Sequence, residues 1–369
     1  MIAPPLRPQI PQLHALTGLR GIAAWFVVFY HLRPAATGIL PPMLIEALAK
    51  GYLAVDLFFM LSGFVLWLNY GARLRLEGWA AAPRFWWKRV ARIWPLHLAM
   101  LATMVVGVAL IAATGRTGES YPLAELPLHG LLVQNWGFTD ALSWNYPAWS
   151  ISTELFAYLL FPAIVLASRW EALSPRYLVG TVAGLALALY LFFEWHGLSR
   201  LGDAIPQTGL VRCVLQFVIG MALAILWEAW REEPRRAALC ALAGAALLAG
   251  GLILGRPETA FVPLAFAALL LALALDRGPL SRLLASRPFR ALGDWSYATY
   301  LSHVVLFTAY KVVATGADGQ LGWATLVAFL AIELAVSALL FRWLEKPAQA
   351  ALNAAMPAGI RGTRQPASH

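Results

Sequence analysis

Ten apolar segments, each close to the length that crosses a bilayer, follow one another along this chain and restrict it to a helical fold in a membrane. They cover about 16–33, 51–70, 93–113, 148–167, 177–195, 210–230, 237–254, 260–275, 294–313 and 322–344. A hydrocarbon core takes roughly 20 apolar residues as a helix, which satisfies its own backbone hydrogen bonds where water is absent. Composition points the same way: 60% of the 369 residues are hydrophobic and only 13% are charged, about half the charged share of a soluble domain. The expectation is an all-α polytopic transmembrane helical bundle of about ten spans. One domain is expected over residues 1–346 and a mobile cytoplasmic tail over 347–369. The semi-apolar stretch 127–138 reads as an interfacial or re-entrant piece.

The formal net charge of +9 does not point to nucleic acid, because the basic residues sit in short clusters between apolar spans. With the N-terminus cytoplasmic, inner loops collect most of the 28 Lys and Arg, including Arg73, Arg75, Arg84, Lys88, Arg277, Arg282, Arg287 and Arg290. That bias sets the orientation, and an even number of spans puts both termini inside. The longest outer loop, about 114–147, carries Glu119, Glu125 and Asp140 against Arg116. Cys213 and Cys240 lie in apolar segments without metal-ligand spacing and read as packing residues; no metal is expected. Residues 1–13 are Pro-rich and polar with no small-residue cleavage site, so no cleaved leader is expected. The sequence has no evident internal repeat.

Ionisable groups inside the spans are the candidates for chemistry, since charge in hydrocarbon is costly. Arg20 and His31 share the first apolar stretch, Leu16-Thr-Gly-Leu-Arg20-Gly-Ile-Ala-Ala-Trp-Phe-Val-Val-Phe-Tyr-His31. Eleven residues bring a helix about 20° past three full turns, so both project from one face, roughly 16 Å apart along the axis. A guanidinium at one interface and an imidazole deep in the membrane suit a long, phosphate-headed ligand, and His is suited to proton transfer near neutral pH. In the inner loop 84–95, Arg89 and Arg92 are three apart and meet on one side of a helix. They read as phosphate forks or as a basic cluster facing anionic lipid.

Further along, Asp56 begins the second span and reads as an N-cap, while Ser62-Gly63 suits close helix–helix contact. Glu154 lies about a turn and a half into the fourth span. It needs a partner or a cavity, or else belongs to an acidic first turn. Trp136, Trp144, Tyr146 and Trp149 are either a sugar-stacking platform or an outer aromatic belt. Asp294 reads as an N-cap of the ninth span. His303 lies about 13 Å in, where it and Glu333 are placed to pair.

Together these segments resemble acyltransferase family 3, membrane proteins that acylate sugars and glycolipids. The resemblance covers roughly residues 12–346. It is carried by Leu16 through His31, by Val55-Asp-Leu-Phe-Phe-Met-Leu-Ser-Gly63, by the basic segment 84–95, by Trp149-Ser-Ile-Ser-Thr-Glu154, and by Ser296-Tyr297 through Tyr300-Leu-Ser-His303. It implies ten core helices and a multi-pass protein of the plasma (inner) membrane. It also implies acyl-CoA as donor substrate, acetyl-CoA by family frequency, with no permanently bound cofactor. The implied acceptor is a hydroxyl of a carbohydrate or glycolipid on the outer face.

By this carry-over His31 is catalytic, with Glu154 beside it, and Arg20, Arg89 and Arg92 face the donor's phosphates. Asp56, Trp149, Arg212 and His303 fall to substrate binding. His97 stands where an aromatic residue is expected, away from the implied chemistry. Larger relatives append a soluble domain after the last helix and none is expected here, so substrate choice rests on outer loops and helix ends. His31 acts as general base, or alternatively forms an acyl-histidine. The rival from another class is a transporter or lipid flippase, which suits deep ionisable groups equally but commonly shows repeats and broken helices.

Overall fold

The computed structural model describes residues 13–113, 121–167, 169–314 and 319–360. Arg7, Arg116, Glu119, Arg361 and Arg364 lie outside them. In chain order the helices are α1 (His14–Leu32), α2 (Pro42–Leu48), α3 (Ala54–Leu66), α4 (Ala72–Glu77) and α5 (Ala82–Ala113). Next come α6 (Leu126–Leu131), α7 (Ala148–Ala167), α8 (Pro175–Trp195), α9 (Ile205–Trp230) and α10 (Pro234–Ile253). The last are α11 (Glu258–Leu275), α12 (Pro279–Leu284), α13 (Arg287–Ala314), α14 (Trp323–Leu340) and α15 (Lys346–Ala354). No strand occurs among the described residues.

Each expected apolar segment falls on one long helix: α1, α3, α5, α7 through α11, α13 and α14. Among the described residues eight stretches are long and apolar enough to cross a membrane; one of them, Pro42–Leu110, takes in α3 and most of α5, and α13 is not among them. Leu110, Leu187, Leu191, Leu242, Ile253 and Val327 are exposed. Apolar surface on this scale is tolerated only where it meets lipid or a partner. The protein is thus an all-α polytopic bundle.

The structure departs from the sequence reading in four places. The helix α5 starts at Ala82, so the basic stretch 84–95 is helical rather than a loop. Pro95 sits inside it. Asp294 is within α13, which begins at Arg287, so it is no N-cap. Asp56 stands in the first turn of α3 but makes no cap bond to the helix backbone. Beyond Lys346 the chain continues helically as α15, and the Trp87 indole N–H donates to the Leu352 carbonyl at 2.9 Å. Residues 361–369 of the tail are outside the described part.

Two parallel, glycine-mediated contacts set the core. In the first, α1 packs along α13. A Cβ on Gly293 would overlap the Thr17 carbonyl, and one on Gly21 would meet the Gly293 nitrogen at 2.7 Å. In the second, α3 packs along α9, where a Cβ on Gly63 would overlap the Phe217 carbonyl and one on Gly220 the Met60 carbonyl. Small residues let backbones approach this closely in a membrane, where no hydrophobic force drives helices together. The first contact brings Arg20 to Gly293 and His31 to His303; the second brings Asp56 to Arg212. Both pairs run parallel, since contacts advance in the same direction along each pair of helices.

Candidate active site

A cavity of about 820 Å³ opens between α1, α3, α5, α7 and α13. Along α3 its lining runs from Val55 to Asn69, about 21 Å of helix axis. Arg20, Arg89, Arg92 and Glu154 all face it. These are three residues expected at the donor and one expected in the catalytic set, brought from three helices.

The fold fixes each of them. Arg20 donates through Nη2 at 2.9 Å and Nε at 3.3 Å to the carbonyl of Gly293. That carbonyl is reachable because Gly21 and Gly293 let the two helices touch. Arg89 donates to the Tyr70 hydroxyl at 3.1 Å and lies over that ring at 5.2 Å. Arg92 lies over the Tyr297 ring at 5.5 Å and pairs with the buried carboxylate of Glu345. Tyr70 belongs to a π-helical continuation of α3, Trp67–Gly71, and Glu345 to another after α14, Phe341–Glu345. Such turns re-aim side chains and recur at functional sites. Glu154 accepts from the Tyr158 hydroxyl at 2.6 Å. It is well past the first turn of α7, which is free of acidic residues.

His31 lies outside this cavity, against His303. His31 Nδ1 is 2.9 Å from His303 Nε2 and 3.1 Å from the Val27 carbonyl. His303 Nδ1 is 3.1 Å from the Thr299 carbonyl. A carbonyl only accepts, so His303 carries its proton on Nδ1 and its Nε2 accepts. His31 therefore donates from Nδ1, shared between Val27 and His303, and its Nε2 lone pair is left bare. The tautomers follow from the hydrogen-bond pattern. His303 is buried, whereas His31 is half-buried. Its ring is flanked by Tyr30 at 4.8 Å and by the exposed Tyr146 at 5.4 Å.

Between cavity and histidines stands a thin wall. Tyr300 lines the cavity on one side, and its ring is 6.0 Å from that of His303 on the other. Its hydroxyl is 2.7 Å from Ser150 Oγ, and Phe58 packs edge-on against it at 6.0 Å.

Asp56, Arg212 and Trp149 are outside the cavity lining. Arg212 grips Asp56 through Nε at 2.7 Å and Nη2 at 2.5 Å, and Gln216 also donates to that carboxylate. Trp149 covers the guanidinium at 5.4 Å and meets Phe59 edge-on at 5.9 Å. These three expected substrate residues are buried against one another, which also explains why Asp56 is not a cap. Nor does His303 pair with Glu333. That carboxyl accepts instead from Ser302 at 2.7 Å and Ser337 at 3.1 Å.

The sequence reading missed several cavity residues. Tyr158, Tyr297 and Tyr300 line it, as do His14, Arg287 and Arg290 at the end away from His31. The tyrosines lay within segments already singled out; the arginines looked like ordinary inner-loop charge. Among the described residues no group of His, Cys, Asp or Glu is placed to hold a metal ion.

Residues 13–342 match the acyltransferase domain family. Among curated proteins, the chain is 29% identical to the acyltransferase MdmB of Streptomyces mycarofaciens, over 95% of both chains. It is 29% identical to the exopolysaccharide production protein ExoZ of Rhizobium meliloti, over 72% of this chain and 78% of that one. It is 23% identical to the peptidoglycan O-acetyltransferase OatA of Listeria monocytogenes, over 90% of this chain but only 55% of that longer protein. No solved structure matches. With a family match over nearly its whole length, the chain belongs to acyltransferase family 3 and is an acyltransferase.

Proposed function

We propose that this protein moves an acyl group, acetyl in the first instance, from cytoplasmic acyl-CoA to a hydroxyl of an extracytoplasmic carbohydrate or glycolipid. One observation carries the reading. A cavity holding three guanidinium groups ends one side-chain layer, at Tyr300, from the His31–His303 pair. CoA is too polar to cross a bilayer, so the donor enters from the cytoplasm and its phosphates rest on Arg20, Arg89 and Arg92, which match phosphate oxygens as forks. The pantetheine arm extends along α3 toward Tyr300. The acceptor arrives on the far side, where His31 is half-exposed beside Tyr146. The carbohydrate-related names of the relatives from Rhizobium meliloti and Listeria monocytogenes favour a glycan acceptor.

In the transfer step, His31 Nε2 takes the proton of the acceptor hydroxyl as that oxygen attacks the thioester carbonyl carbon. The new C–O bond forms and the C–S bond breaks. The CoA sulfur leaves with the proton that the imidazolium returns. His303 Nε2 holds the His31 Nδ1–H throughout and stabilises the imidazolium. Glu154, hydrogen-bonded to Tyr158 on the cavity wall, supplies a carboxylate among the three cations and orders their geometry. Asp56, Arg212 and Trp149 brace the wall that carries Ser150 and Phe58. Both termini face the cytoplasm, and the membrane is the plasma (inner) membrane.

The test is mass spectrometry of surface glycans from cells with and without the protein, together with release of CoA from labelled acetyl-CoA by the purified protein. Acyl esters that disappear with the protein, and CoA release that depends on it, support the reading. Unchanged glycans and no CoA release point to a transporter.

A further inference from the structure

The cavity carries cations at two levels, and only the deeper one is accounted for. Arg20, Arg89 and Arg92 form that level. Closer to the inner end, the lining includes His14, Arg287 and Arg290. The Arg290 guanidinium is 3.4 Å from His14 Nε2. His14 precedes Arg20 on α1 by six residues, which separates the two levels by about 9 Å. Arg287 and Arg290 open α13, where the positive end of the helix dipole adds to their charge instead of offsetting it. Neither arginine has an ion pair among the described residues. The acidic side chain in this part of the lining is Asp294, one turn after Arg290. The two guanidinium groups at the start of α13 repel each other, and Arg290 donates to His14 Nε2. Gathering them at a cavity mouth is favourable when an anion lies between them.

Resting on the acyl-CoA reading above, we infer that Arg287, Arg290 and His14 bind the 3′-phosphate of the donor's adenosine and discriminate against donors that lack it. The order of groups along the ligand matches the order along the cavity. From the thioester outward come the pantetheine arm, the 5′-diphosphate, and then the ribose with its 3′-phosphate. From His31 inward come about 16 Å of α1 with no cation on that face, then Arg20 with Arg89 and Arg92, then the mouth cluster. The diphosphate takes the deeper level and the separate monophosphate takes the outer one.

The experiment measures donor affinity by calorimetry in detergent, free of lipid, with acetyl-CoA and its 3′-dephospho form. The His31→Ala protein is used so that the thioester survives. The parent binds acetyl-CoA at least about tenfold more tightly than the dephospho form. Arg287→Ala/Arg290→Ala binds both about equally, by losing affinity for acetyl-CoA alone. Arg290→Glu reverses the preference. Both arginines sit at an open mouth, so these variants stay folded, and an unchanged affinity for the dephospho form verifies that. If the double variant still discriminates tenfold, the cluster does not read this phosphate, and the arginines face anionic lipid instead. If the parent binds both forms equally, the inference fails while the donor assignment stands. If it binds neither form, the acyl-CoA reading itself falls.

Discussion

His303 Nε2 lies 2.9 Å from His31 Nδ1, on the side of the imidazole away from its bare nitrogen. The pair has no carboxylate, so a neutral ring fixes the tautomer of the other ring.

Removing His303 deprives the His31 imidazolium of an acceptor. A hydrogen bond to a charged group contributes about 1.5–3 kcal/mol, so His303→Ala lowers kcat about 10- to 100-fold. Donor KM stays unchanged, because His303 is outside the cavity. His303→Gln restores part of the rate, since its side-chain carbonyl accepts. Steady-state kinetics of the two variants check this; a raised donor KM with unchanged kcat contradicts it.

Arg89 and Arg92 respond differently to truncation. Arg89 has no ion pair among the described residues, so Arg89→Ala mainly raises the donor's KM, by about tenfold for one charged hydrogen bond. Arg92→Ala strands the buried Glu345 carboxylate and costs about 3–5 kcal/mol of stability. Arg92→Ala/Glu345→Gln recovers stability but not donor affinity. Thermal unfolding and donor binding on the same three proteins separate the two effects.

The α1–α13 contact sets the register of the site. Gly293→Ala or Gly21→Ala forces backbones apart at about 1–3 kcal/mol, and shifts both Arg20 and His31 relative to α13. Activity falls in these variants at temperatures where the protein is still folded. Gly180→Ala, with open space around its Cβ position, leaves activity unchanged. Activity and unfolding curves for the three variants test the assignment.

Much of this architecture was legible in the sequence. Apolar length alone located every long helix, because the bilayer fixes the length of a span. Helical spacing put Arg20 and His31 on one face, and the family motifs singled out Arg89, Arg92 and Glu154, though not that Glu154 shares the cavity of the three arginines. Partner choice was not legible. His303 and Glu333 are both deep and ionisable, but only the register imposed by Gly21 and Gly293 decides that His303 meets His31. Asp56 was read locally as a cap, and its real partner is 156 residues away. Local pattern holds no record of which helix packs on which. Arg287 and Arg290 were hidden for a different reason: they carry the same charge as every inner-loop arginine that only sets orientation.

The loop between α5 and α7 carries a pH dependence of its own. His129, on α6, is buried and lies 2.9 Å from Ser143 Oγ. Burial, with His97 nearby, lowers its pKa to about 4. Between about pH 6.5 and 4 the unfolded loop takes up a proton that the folded loop refuses. The contribution of this histidine is therefore intact above about pH 6.5 and declines as pH falls toward 4. Hydrogen exchange over residues 121–147 rises at pH 5 relative to pH 7, beyond the intrinsic pH effect, and His129→Gln removes that rise. Equal protection at both pH values contradicts the account.

The most direct measurement is acyl transfer by His31→Ala, purified alongside the unaltered protein and supplied with labelled acetyl-CoA and glycan acceptor. Loss of a positioned general base lowers the rate about 10²- to 10⁴-fold, while donor affinity, set at the cavity arginines, is unchanged. Transfer at the full rate by His31→Ala would show that the chemistry lies elsewhere.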